Sequence, residues 1–284
     1  MLNGFGKSTG LMQLNELGTV ETPILLTNTF AGGACSNALI RRAITSNPKI
    51  GRQISTVNPV VLECNDGYLN DIQATAVTEA HANTAIESAA EEFAVGSVGA
   101  GTGMSCFGLK GGIGTASRGL HFDRQPYHVG VVVLANFGRA GDLRLPDGRR
   151  IDPGSDPAGE AGSCIMVVGP RSRCTIAGSA ALRAAPALGW RGAARSEATA
   201  VATSRWRSAP RTAHRVPHDA DRDLLDQRVL AETRIDRLFQ AAAEATQEAV
   251  LGALVGAETM VANWPDRTGV CVISTPRVHH LLTI

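Results

Sequence analysis

Aromatic side chains are scarce in this chain: seven phenylalanines, three tryptophans and two tyrosines among 284 residues. That excludes a core built on large rings and points to small aliphatic side chains packed against glycine-rich backbone. A charge excess of either sign is missing as well. Lys and Arg number 27 against 26 Asp and Glu, so nothing in the balance favours nucleic acid or a membrane surface as partner. No apolar run approaches the ~18 residues of a membrane span, and Met1 to Gly6 shows no basic segment followed by an apolar one, so the default expectation is cytoplasmic. Six cysteines (Cys35, Cys64, Cys106, Cys164, Cys174, Cys271) lie far apart, without the C-x-x-C spacing of zinc or redox motifs, and read as buried reduced thiols. His121 and His128 flank a loop, His279 and His280 read as a solvated pair, and neither a metal nor a cofactor is expected. The run Gly4 to Thr9 ends like a phosphate-binding loop. It lacks the earlier glycine, whose place is taken by Met1, and the strand that would precede it.

What is present is enough apolar sequence, 44%, for one full core, and a single domain over 1–284 is expected. Strands are predicted at Pro23–Phe30, Val57–Glu63, Tyr127–Ala135 and Ser163–Val168. Helices are predicted at Asn37–Ile44, Val77–Phe93 and Leu225–Val255. The β-branched run Tyr127–Ala135 reads as a central strand buried on both faces. Gly96–Gly119, with nine glycines, reads as backbone threading through a site rather than a regular element, and Arg139–Glu160 as an exposed polar linker. The alternation of strands and helices gives an α/β class, and without a G-x-G-x-x-G loop it favours layering over a dinucleotide-binding sheet.

The dipeptide Gly162-Ser163, opening an apolar strand, carries the most chemistry. Cleavage between the two would leave Ser163 with a free α-amine beside its hydroxyl, so that one residue supplies nucleophile and base. On residue type alone, Ser163 is equally a small strand-opening residue, Asn136 a strand-end turn former and Glu63 a loop surface charge. Four segments shift the balance: Asn3–Gly10, Asp66–Ile72, Gly101–Met104 with Lys110–Arg118, and Gly162-Ser163. In this order they resemble the P1 family of peptidases, the aminopeptidase and D-amino-acid esterase/amidase group that includes the β-peptidyl aminopeptidases.

That resemblance implies a four-layer α-β-β-α sandwich related in shape to the N-terminal-nucleophile hydrolases. It also implies self-cleavage into an α fragment (1–162) and a β fragment (163–284) that stay together, with the cleaved protomers forming a homo-oligomer. Ser163 would attack the scissile carbonyl, Asn136 would stabilise the oxyanion, and Glu63 would pair with the substrate's free amino group. Asn65 stands where some members place an aromatic residue lining the site. Substrates would be short peptides, amides or esters. Family members extend further at the N-terminus, so the first strands of the fold are expected to be absent. Two other readings stand beside the hydrolase. One is an acyltransferase of the ornithine acetyltransferase type, disfavoured by serine in place of threonine, and the other is a non-catalytic remnant.

From Gly169 to about Arg211 the resemblance breaks and arginine, alanine, serine and proline dominate. Read one frame away, the codons of Ala198–Pro210 can spell Asn-Gly-Ser-Gly-Asp-Ile-Ala-Val-Ala-Phe-Ser-Thr, close to the family's run after the nucleophile. We expect an aberrant segment over 169–211 that has lost a core strand, a packed helix, and a serine and an acidic residue that support the nucleophile. Slow or absent self-cleavage would follow.

Overall fold

The computed structural model describes residues 6–154, 162–171, 175–176, 197–202, 205–206, 229–262 and 271–273. Four helices are labelled α1 (Leu11–Leu17), α2 (Gly32–Ser46), α3 (Glu79–Glu87) and α4 (Asp236–Val255). Six strands carry the argument: β1 (Ile24–Asn28), β2 (Val60–Cys64), β3 (Gly112–Phe122), β4 (Gln125–Asn136), β5 (Ser163–Arg171) and β6 (Glu197–Ala202).

Strand periodicity sorts the apolar residues into three clusters, and these define the layers. Strands β1 and β2 pair in parallel, Ile24 opposite Val60 through Asn28 opposite Cys64. Leu25 and Val61 face Cys35, Ala38 and Leu39 of α2 and Ala82 of α3. On the other face, Val60, Leu62 and Cys64 meet Ile113 of β3, Leu134 of β4 and Ile165 of β5. The second sheet runs β6-β5-β4-β3. Its far face, with Val131, Val133, Ala135, Cys164, Met166 and Val168, packs on Leu238, Ala242, Ala245, Ala249 and Ala253 of α4. The order is helices, sheet, sheet, helix, which is the expected four-layer α-β-β-α arrangement.

Several segments differ from their sequence-based outline. Glycine-rich Gly96–Gly119 is not irregular throughout, because Gly112–Phe122 forms β3, paired antiparallel along β4. The reason is packing of backbone on backbone. A Cβ on Gly114 would lie 1.8 Å from the Ala249 carbonyl oxygen of α4, so glycine is what lets the helix settle on the sheet. Gly114→Val is therefore expected to destabilise the fold by ~3 kcal/mol, the upper range for overpacking. Gly119→Val, on the same strand with nothing nearer than His128 at 3.8 Å, should shift the urea midpoint far less.

Arg139–Glu160 is not simply an exposed linker. Within its described part, Leu143–Arg144 pairs with Arg150–Ile151, and Leu143, Leu145 and Ile151 are buried in the same core cluster that includes residues of α4. Three apolar residues among many charges were too few for the pattern to register. The helix predicted from Leu225 begins at Asp236, after a short turn at Glu232–Arg234. Strand β4 is central as expected, although only its C-terminal third, Val133 to Asn136, is continuously buried.

Within the segment expected to be aberrant, Glu197–Ala202 forms β6, parallel to β5 with Ser163 opposite Glu197 and Val168 opposite Ala202. Glu197 to Ala202 holds no arginine, and the ladder needs only backbone groups, so departure from a family pattern does not by itself remove a strand. Most of 169–211, like His279 and His280, lies outside the described residues.

Candidate functional site

Antiparallel pairing of β4 and β5 places Asn136, the last residue of one, directly opposite Ser163, the first of the other. The cross-strand spacing of such a pair, ~4.5–5.5 Å, brings both side chains to the same corner of the sheet. Between them sits Asn65, just past the end of β2. Its N–H donates to Ser163 Oγ at 3.2 Å, and its carbonyl accepts from Asn136 Nδ2 at 2.8 Å. The other end of the Asn136 amide is held by the Ser105 N–H, which donates to Oδ1 at 2.9 Å. The donor end of Asn136 thus faces Asn65 and the serine side of the corner. Gly162 is fixed by space: a Cβ there would lie 1.9 Å from the Asn136 carbonyl oxygen. Only glycine lets the chain run so close to β4 on its way into Ser163.

Glu63, one of the residues singled out in the sequence, is buried at the end of β2 rather than exposed on a loop. Period two puts it on the face opposite Cys64, where Lys7 N–H donates to Oε1 at 2.7 Å and the Thr29 hydroxyl to Oε2 at 2.5 Å. A carboxylate offers about four lone pairs, so these two bonds leave acceptor capacity for up to two further donors. Lys7, in the run that resembled a phosphate loop, spends its backbone N–H on this carboxylate. The structure brings Ser163, Asn136, Asn65 and Gly162 to one corner and holds Glu63 on the other face of β2 from Cys64, whose thiol meets Ser163.

The thiols nearby are not competing nucleophiles. Cys64 Sγ donates to the Ser163 carbonyl at 3.4 Å, and burial pushes its pKa far above the usual thiol range. Cys164, next to Ser163 in sequence, is raised likewise by burial, and Cys106 is pushed up to about 12. A thiol held protonated is a poor nucleophile, so none of these cysteines competes with the hydroxyl at this corner.

Two residues escaped sequence reading. Glu197 is set opposite Ser163 by the β5–β6 register alone, information absent from any local motif. Lys110 lies within a motif that was noticed, but its burial was not foreseen: it is fully enclosed and pushed down to about 8 by desolvation. The sign of that shift makes a prediction. Between pH ~8 and the ~10.5 of an unfolded lysine, the unfolded chain binds more protons at this site, so the Lys110 contribution to stability rises with pH. The buried thiols act oppositely, because the unfolded chain ionises them near pH 9 while the folded one does not. The difference in urea midpoint between wild type and Lys110→Met, followed from pH 8 to 10, should therefore move in favour of the wild type.

With this geometry established, similarity to known proteins becomes informative. The profile of peptidase family S58 matches residues 1–266. The chain belongs to peptidase family S58. It is a serine-type aminopeptidase by that membership, and a hydrolase. It is 33% identical over 283 residues to the β-peptidyl aminopeptidase BapA of Sphingosinicella microcystinivorans, an alignment covering 91% of this chain and 68% of that one. The PH0078 protein of Pyrococcus horikoshii OT3 superposes with a TM-score of 0.82 at 37% identity, covering 98% of this chain and 76% of the other. The L-aminopeptidase D-Ala-esterase/amidase of Ochrobactrum anthropi, described as a prototype for the serine aminopeptidases and a variant of the Ntn hydrolase fold, superposes at 0.79 with 28% identity. That superposition covers 98% of this chain and 77% of the other. The chain shares the fold of these proteins. Among its described residues no helix is long and apolar enough to cross a membrane.

Proposed function

We propose that this S58 member cuts its own chain between Gly162 and Ser163 and then uses Ser163 to release N-terminal residues from short peptides, amides or esters. The observation that carries this reading is the corner itself: Ser163 Oγ on the Asn65 N–H, with the Asn136 amide directly across the ladder.

In the first step Ser163 Oγ attacks the Gly162 carbonyl carbon, the C–N bond breaks, and an ester replaces the amide while the Ser163 nitrogen leaves as an amine. Water then hydrolyses the ester, giving a Gly162 carboxylate and a Ser163 that bears both hydroxyl and free amine. In turnover that amine takes the hydroxyl proton as Oγ attacks the substrate carbonyl. The proton passes to the departing amine and an acyl-enzyme remains for water to resolve. Asn136 Nδ2 donates to the oxygen that becomes negative. Glu63 accepts from the substrate's free ammonium, which would select unblocked N-termini. The BapA relative is named for β-peptides, and a β-amino-acid residue at the substrate's N-terminus belongs to the range proposed for this chain too. We place the cleaved protein in the cytoplasm as a homo-oligomer.

Intact mass spectrometry of purified protein, combined with hydrolysis of aminoacyl and β-aminoacyl p-nitroanilides, tests the reading. Two fragments dividing before Ser163, and release of nitroaniline that stops when the amine is acetylated, are expected. One uncut chain without activity would instead favour the remnant, and with it the frame disruption over 169–211.

A further inference from the structure

Lys110 has no part in the steps just described, yet its ammonium is wholly buried. Removing an ammonium from water costs several kcal/mol, so the hydrogen bonds it makes must matter locally. Nζ donates to the carbonyls of Gly101 and Gly111, each at 2.8 Å. The Gly111 N–H in turn donates to the Met104 carbonyl at 2.9 Å, and Lys110 pairs with Ser105 across the short hairpin Ser105–Cys106 with Leu109–Lys110. One ammonium therefore joins the two ends of a loop whose next residue after Met104 is Ser105. Ser105 N–H is the group that holds Asn136 Oδ1.

That bond, together with the Nδ2 donation to the Asn65 carbonyl, decides which end of the amide meets the substrate. An asparagine amide presents a donor at one end and an acceptor at the other, and half a turn about its terminal torsion exchanges them. With Oδ1 on Ser105, Nδ2 faces the serine corner. Turned over, the amide would offer an oxygen to a developing oxyanion and repel it. The loop cannot brace itself with side chains at Gly101 or Gly111. Their Cβ positions fall 2.4 Å from the Gly96 carbonyl oxygen and 2.2 Å from the Ala135 carbonyl oxygen, so both must be glycine.

We propose that Lys110 is a positioning residue: by tying Gly101 to Gly111 it fixes the Ser105 N–H and, through it, the donor-forward orientation of Asn136. The inference rests on Asn136 being the oxyanion donor. It adds an essential residue that never touches substrate.

The test is a double-mutant cycle of Lys110→Met and Asn136→Ala, with hydrogen exchange measured on the same proteins. Lys110→Met is expected to lower kcat by ~10–100-fold with KM within ~3-fold, and to cost nothing further once Asn136 is alanine. Lys110→Gln, which keeps a shorter N–H donor, should recover part of kcat. Independently of activity, the Ser105 amide should exchange at least ~10-fold faster in Lys110→Met while the Val131 and Val133 amides of β4 keep their wild-type rates. If Asn136→Ala alone retains wild-type kcat, the assignment of Asn136 fails and the inference with it. If Asn136→Ala is impaired but Lys110→Met multiplies the loss, only the Lys110 inference falls. An unchanged Ser105 rate, β4 amides that accelerate equally, or failure of both lysine variants to fold would also overturn it.

Discussion

Ser163→Ala is expected to leave the protein as one uncut chain and to lower aminopeptidase turnover by as much as ~10⁶-fold, to the floor that binding and the oxyanion donor sustain without a nucleophile. The fold should survive. Among the hydrogen bonds described above, the substitution removes the one accepted from the exposed Asn65 N–H, which water can replace, and the hydroxyl fills no core cavity. A stability change under ~1 kcal/mol is the corresponding expectation. Denaturing gels and intact mass report the cut, and thermal unfolding reports the fold. Processing that continues in the alanine variant would place the nucleophile elsewhere, and every role assigned around this corner would have to be withdrawn.

Asn136→Ala should lower kcat by ~10²–10³-fold, the usual loss for one oxyanion donor. It should also cost ~1–3 kcal/mol of stability, because the partly buried Ser105 N–H and Asn65 carbonyl lose a shared partner. Asn136→Asp separates the two effects. It keeps an oxygen for Ser105 and so recovers part of the stability, but it sets a negative carboxylate where the amide donor stood, so turnover should fall at least as far as with alanine. Single-turnover acylation rates and urea midpoints, measured side by side, distinguish these outcomes. Equal loss of rate and stability in both variants would make Asn136 a packing residue.

Much of the corner could be read from the chain because its parts are local. Gly162 and Ser163 are adjacent, and Asn136 ends an unmistakable β-branched run. Glu63 was legible as a residue but not in its surroundings, since Lys7 and Thr29 reach it from segments that sequence spacing does not connect. Asn65 was noticed for its side chain, whereas its backbone links Ser163 to Asn136, and a backbone role leaves no mark on residue type. The glycines of β3 misled for a physical reason: glycine ordinarily weakens strands, and here it is required by a helix pressed on the sheet. Lys110 was hidden by the opposite rule, that lysine belongs outside, which holds until loop carbonyls need a donor.

The ladder between β4 and β5 runs from Ser163 opposite Asn136 to Arg171 opposite His128, so the break proposed beside it falls at the margin of the most central pairing in the molecule. Before the cut, unfolding and refolding are events of one chain and independent of dilution. Afterwards the same ladder is an interface between two polypeptides, and recovery from denaturant becomes a second-order encounter governed by protein concentration. A matured sample diluted out of urea should regain structure more slowly the more dilute it is, whereas the uncut Ser163→Ala chain should refold at one rate. Maturation would thus make the protein's persistence a matter of how slowly its halves part.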